Sequence, residues 1–141
     1  MDRVSRRALL GAAGASVALA AVGRRVHAAD IEGITAKDPA NMTKMEQKHV
    51  PKITVGEAKA GEPVTVTIDI GAIDHPMAEE HFIEWIDVYL DGKKLSRITL
   101  TPVAMKAAAT VTLTPEKSGM LTVSNKCNLH GIYKSCVEIK A

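Results

Sequence analysis

The chain has 141 residues, of which 46% are hydrophobic, 3% aromatic and 24% charged, with a formal charge of +2. That length suits one domain with a single core. The first 28 residues hold five arginines against one aspartate, a contribution of +4 that leaves the remainder at −2, so no basic nucleic-acid surface and no nucleic-acid partner is expected.

At the amino terminus, Ser5-Arg6-Arg7-Ala8-Leu9-Leu10 resembles the twin-arginine export motif, with Gly11 where lysine is usual. The Ala/Gly-rich stretch from Ala8 to Gly23 is short and weakly apolar for a membrane span, and Val26-His27-Ala28 offers small residues to signal peptidase ahead of Ala29-Asp30. Arg24-Arg25 beside that point disfavours an ordinary Sec signal. The expectation is a removable twin-arginine-type signal peptide over 1–28 and a periplasmic or otherwise exported protein with no stable membrane span after cleavage. A polar, aperiodic arm over 29–45 then leads into a folded domain over 46–141.

The domain reads as strands and turns. His49 stands just ahead of Pro51, at the start of an edge strand. Val64, Val66, Ile68 and Ile70 alternate with Thr65, Thr67 and Asp69, the period of a strand with one buried face. Phe82 to Leu90 is β-branched and aromatic and runs into Asp91-Gly92, a two-residue hairpin signal, so Lys93 to Thr101 is predicted to return antiparallel. Further strands fit Thr110 to Thr114, Leu121 to Ser124 and Tyr133 to Lys140, with Pro115 to Gly119 as a turn. The competing reading, a helix over Ala78 to Leu90, is disfavoured by Ile83, Trp85, Ile86, Val88 and Tyr89. Short strands at this spacing predict an all-β chain built as an immunoglobulin-like β-sandwich. Phe82, Trp85 and Tyr89 are expected in the core or as walls of a site.

Beyond His27, every histidine falls in a short segment that could deliver a metal ligand: His49 in Gln47-Lys48-His49-Val50-Pro51, His75 and His81 in His75-Pro76-Met77-Ala78-Glu79-Glu80-His81, and His130 in Cys127-Asn128-Leu129-His130-Gly131. Imidazole and thiolate are ligands for mid-to-late transition metals, so the conjunction points to a metal centre. The two-residue spacing lets a tight loop turn Cys127 and His130 toward one ion, with Gly131 relieving the backbone. In an oxidising compartment Cys127 could instead pair with Cys136, which would remove that thiolate; as a free residue Cys136 reads as a half-buried strand thiol. Lys126 and Lys134 flank the loop and read chiefly as solubilising. No phosphate-cradling glycine loop and no nucleophile elbow competes.

Lys48-His49-Val50-Pro51, His75-Pro76-Met77 with Glu80-His81-Phe82-Ile83-Glu84-Trp85-Ile86, and Cys127-Asn128-Leu129-His130-Gly131 together resemble the desulfoferrodoxin/neelaredoxin superoxide reductases, over nearly the whole mature chain. The resemblance implies a β-sandwich with a solvent-accessible mononuclear iron at one edge. His49, His75, His81 and His130 would be its equatorial ligands and Cys127 its axial thiolate, with the sixth position open. The implied reaction is one-electron reduction of superoxide to hydrogen peroxide by Fe2+/Fe3+ cycling, with Lys48 near the open position to attract the anion and order a proton-delivering water. Where the family commonly has glutamate ahead of that lysine, this chain has Gln47, and Glu46 is one residue out of register. A desulforedoxin-type second metal domain needs four cysteines, so the electron donor would be a separate protein. Assembly into a homo-oligomer stays open.

Two other classes remain open from the residues. A cupredoxin-like electron carrier needs two His, a Cys and a weak axial Met, but no Met follows His130. A non-catalytic metal-binding β-sandwich with structural zinc would leave one of the five candidate ligands unused.

Overall fold

The computed structural model describes residues 27–141. The signal peptide expected over 1–28 therefore lies outside the described residues, apart from His27 and Ala28. Seven strands follow one short helix: α1 (Lys44–His49), β1 (Pro51–Val55), β2 (Val64–Ile70), β3 (Ile83–Leu90), β4 (Lys93–Thr99), β5 (Ala108–Leu113), β6 (Gly119–Cys127) and β7 (Gly131–Ile139). They form a three-stranded sheet in the order β1-β2-β5 and a four-stranded sheet in the order β4-β3-β6-β7. Every strand pairing is antiparallel, and the architecture is an immunoglobulin-like β-sandwich.

The alternation in β2 places Val64, Val66, Ile68 and Ile70 inward, with Thr65 and Thr67 exposed. From the facing sheet, β3 contributes Ile83, Ile86 and Val88 and β6 contributes Leu121, Val123 and Cys127 to the same core. Val66, Ile68, Ile83, Ile86, Leu121, Val123 and Ile139 are fully buried, and each such aliphatic side chain contributes roughly 1.5–3 kcal/mol on leaving water. The Asp91-Gly92 hairpin joins β3 to β4 with φ values of 48° and 79°, as a turn with two left-handed central residues requires. The Pro115 to Gly119 turn makes a different connection: β5 and β6 belong to different sheets, so it crosses between the layers.

A register irregularity between Ile83 and Trp85 resets the phase of β3. Ile86 and Val88 then face the core while Trp85, Asp87 and Tyr89 take the outer face. Trp85, expected in the core or a site wall, is half-buried there, with the Arg97 guanidinium 4.1 Å from its ring centroid. Asp87 is buried beneath the same arginine, accepting from Arg97 Nε at 2.7 Å and Nη2 at 2.8 Å, with Lys94 at 2.8 Å. Tyr89 joins this outer cluster through Asp87 at 3.4 Å.

Two segments depart from the polar-arm reading. One 3-10 turn, Ala28–Asp30, leads to a buried Ile31, and Ile34 bridges Tyr133 in parallel along the outer edge of β7. Lys134 is 8% exposed and is no solubilising residue: its ammonium donates to the carbonyls of Ala28 and Ile31 and clasps the arm to the sheet. The six-residue helix α1 was missed because it is too short to show a helical period. Its start is nevertheless written in Thr43-Lys44-Met45-Glu46 as a capping box, in which Thr43 Oγ1 accepts from Glu46 N at 3.2 Å and Glu46 Oε2 from Thr43 N at 2.8 Å.

Candidate metal centre

Five side chains from separate parts of the chain meet at one end of the sandwich. His49 is the last residue of α1, His75 and His81 lie on the β2–β3 connection, Cys127 ends β6, and His130 lies in the turn to β7. The four imidazoles form a ring in the order His49, His75, His81, His130. Neighbouring centroids are 4.7, 4.7, 5.1 and 4.9 Å apart, each pair near perpendicular, and His49 faces His81 across the ring at 6.4 Å. Cys127 is fully buried, with Sγ 3.6 Å from His130 Nδ1.

The backbone decides which nitrogen each buried imidazole offers. His49 Nδ1 donates to Met45 O at 2.8 Å, one helical turn back, and His75 Nδ1 donates to Pro76 O at 2.7 Å. Each Nδ1 therefore carries the proton and each Nε2 lone pair faces inward, the device by which proteins orient metal-binding histidines. Burial, with lesser repulsion from neighbouring imidazoles, pushes the His75 pKa down to about 4. His49 and His81 are lowered for the same reason, Lys48 adding a smaller effect at both. These three rings are thus neutral at neutral pH, the state that binds metal.

Three features fit a bound ion. His81 Nε2 is buried with no hydrogen-bond partner among the described residues. The Nε2 atoms of His49 and His75 stand 3.1 Å apart, about the separation of two nitrogens held at right angles ~2.1 Å from one ion. Donor atoms of His49, His81, Cys127 and His130 all lie within 4.8 Å of one another. Imidazoles gathered with a thiol form a donor set suited to a transition metal, not to a hard oxygen-seeking cation.

The two cysteines are free. Cys127 pairs with Gly131 in the ladder whereas Cys136 pairs with Thr122. Cys136 is therefore five residues along the sheet from Cys127, roughly 16 Å at the rise of a strand, beyond any disulfide. It is exposed rather than half-buried, with Sγ 3.4 Å from Thr122 Oγ1.

Lys48 is exposed beside this ring. Gln47 turns its amide back to Met42 O at 2.8 Å, and Glu46 spends both carboxylate oxygens on the amides of Thr43 and Lys37, at 2.8 and 3.0 Å. Neither residue extends a carboxylate to the cluster. Lys126 is tied to Glu84 at 2.8 Å.

Three residues that are not themselves candidate ligands hold the ligands in place. Asn125, fully buried, donates to His49 O at 2.8 Å. Tyr133 stacks on the His49 ring at 4.8 Å and 25°. Asn128 binds the chain on both sides of His81. A signal for Asn125 existed, since it occupies an inward position of β6 in phase with Leu121, Val123 and Cys127.

The fold and this cluster define a β-sandwich protein with a candidate metal site of four histidines and one cysteine at one end. The family described as Desulfoferrodoxin matches residues 41–136. A desulfoferrodoxin of Clostridium acetobutylicum is 42% identical over 101 residues, covering 71% of each chain. A superoxide reductase of Pyrococcus abyssi is 32% identical over 105 residues, 67% of this chain and 89% of that one. Among solved structures, a superoxide reductase (neelaredoxin) from Ignicoccus hospitalis superimposes with a TM-score of 0.59 at 35% identity, over 65% of this chain and 80% of its own. The chain belongs to the desulfoferrodoxin family.

Proposed function

We propose that this protein is a superoxide reductase, converting superoxide to hydrogen peroxide at one mononuclear non-haem iron held by His49, His75, His81, His130 and Cys127. The observation that carries this reading is the closed ring of four imidazoles with the buried Cys127 thiol beside it and an unpartnered His81 Nε2. Five candidate donors exceed the four of a closed zinc site or a blue-copper centre.

Iron, when bound by these five residues, would supply the single electron the reaction needs. The net change, superoxide plus one electron and two protons giving hydrogen peroxide, sets the tasks of the protein. Lys48 presents a positive charge at the exposed rim, where it attracts the anion and supports proton delivery through water. Cys127, deprotonated as a ligand must be, would hold the iron and donate charge to it, which favours release of the reduced product. His49 and His75 stay fixed by their Nδ1 protons and the two backbone carbonyls. Gln47, with its amide turned back to Met42 O, brings no carboxylate to the metal.

A separate protein would supply the electron, a reading supported by the two cysteines of these 141 residues, fewer than the four of a desulforedoxin-type centre. The twin-arginine-like Ser5-Arg6-Arg7 segment supports export to the periplasm. Replacing Arg6→Lys with Arg7→Lys should leave the protein in the cytoplasm on fractionation; undiminished periplasmic delivery would reject that route. The site is tested by Cys127→Ser. The wild type should bind one iron per chain with a thiolate-to-iron charge-transfer band that the variant lacks, and an unaltered spectrum would exclude Cys127 as a ligand.

A further inference from the structure

We propose that Asn128 is a positioning residue of the metal centre, acting through His81. The proposal rests on the reading that His81 is a ligand. The paired register of β3 and β6 ends at Ile83 and Cys127, short of His81. Three hydrogen bonds, all made by Asn128, carry the pairing past that end. Its backbone N donates to Phe82 O at 3.1 Å, its side-chain Oδ1 accepts from Phe82 N at 2.9 Å, and its Nδ2 donates to Glu80 O at 3.0 Å. The side-chain amide thus grips the chain on either side of His81.

His81 has no comparable anchor of its own. Its backbone N and O are exchanged with Ala78, at 3.2 and 3.0 Å, inside the same connection. Its ring Nε2 has no hydrogen-bond partner among the described residues, so its aim rests on the path of the chain and on contact with the His75 and His130 rings. That path is fixed against the Cys127–His130 loop by Asn128, which lies within it. The task specifies an amide of this length: one acceptor must meet the N–H of Phe82 and one donor the carbonyl of Glu80. Aspartate has the shape but meets Glu80 O with an oxygen, and leucine offers neither group.

Asn128→Asp and Asn128→Leu should remain folded by circular dichroism, since the core of the sandwich does not include this residue. Each should bind iron about tenfold to a hundredfold more weakly, the usual penalty for losing a group that orients a ligand, with the thiolate-to-iron band shifted. In a His81→Ala background, Asn128→Asp should add little to the loss of affinity, because the residue acts through the missing ring. Wild-type affinity and an unshifted band in either folded variant would overturn the proposal, as would full additivity with His81→Ala. Amide exchange in metal-free wild-type protein supplies a test independent of folding in the variants and of iron. Phe82 N–H should be protected there, and unprotected exchange would overturn the proposal even if the wild type binds iron. Failure of the wild type to bind iron would instead refute the proposed function.

Discussion

Lys48 and His49 are adjacent in the chain but face opposite media. At the last turn of α1 the imidazole is buried against Tyr133 while the ammonium stays in solvent. A charge placed there would act on an approaching anion without binding the metal. Lys48→Ala should therefore keep the metal and the optical spectrum while slowing oxidation of the reduced site by superoxide by about tenfold or more in pulse radiolysis. Added salt should slow the wild type more than the variant, because only the wild type has that attraction to screen. Equal rates with equal salt dependence would remove the role. The identity of both residues was legible in Lys48-His49-Val50-Pro51, but their opposed exposure was not, since it depends on the six-residue helix the sequence reading missed.

At the scale of elements, the site depends on where α1 is seated. Gly71, which follows β2 directly, adopts φ +85°, and a Cβ there would lie 2.6 Å from Gln47 O and 2.7 Å from Lys48 C. Ile73 N also donates to Gln47 O at 3.1 Å. The connection carrying His75 is thus packed directly on the backbone of the helix end carrying His49. Gly71→Ala combines left-handed strain with a backbone clash and should cost about 1–3 kcal/mol in chemical denaturation. It should also weaken metal binding, since relief of the clash separates His49 from His75; an unchanged metal affinity would show that the seat is not critical. Sequence alternation located β2 well because half-burial imprints period two locally. It could not show that Gly71 touches Gln47 and Lys48, since that approach is made in space.

Across the whole molecule, gathering neutral imidazoles in a protected cluster makes the metal-free protein acid-sensitive. Burial lowers the His75 pKa to about 4 and shifts His49 and His81 in the same direction. Between about pH 6.5 and 4 the unfolded chain thus takes up protons that the folded chain refuses, so stability falls as pH falls through that window. The melting temperature of metal-free protein should drop from pH 7 to pH 4.5, and His75→Gln should flatten the slope; a flat wild-type profile would contradict the burial of these rings. By itself the sequence determined the strand content, the hairpin at Asp91-Gly92 and the segments able to supply ligands, because side-chain alternation, turn chemistry and ligand type are properties of neighbouring residues. Only the tertiary structure decided that the Pro115 to Gly119 turn crosses between sheets, that Trp85 faces Arg97 outside the core, and that Cys136 lies out of reach of Cys127. It alone also closed His49, His75, His81 and His130 into one ring. Those outcomes depend on which strands pair and on which face packs inward, and both are set by burying apolar surface between segments far apart in the chain.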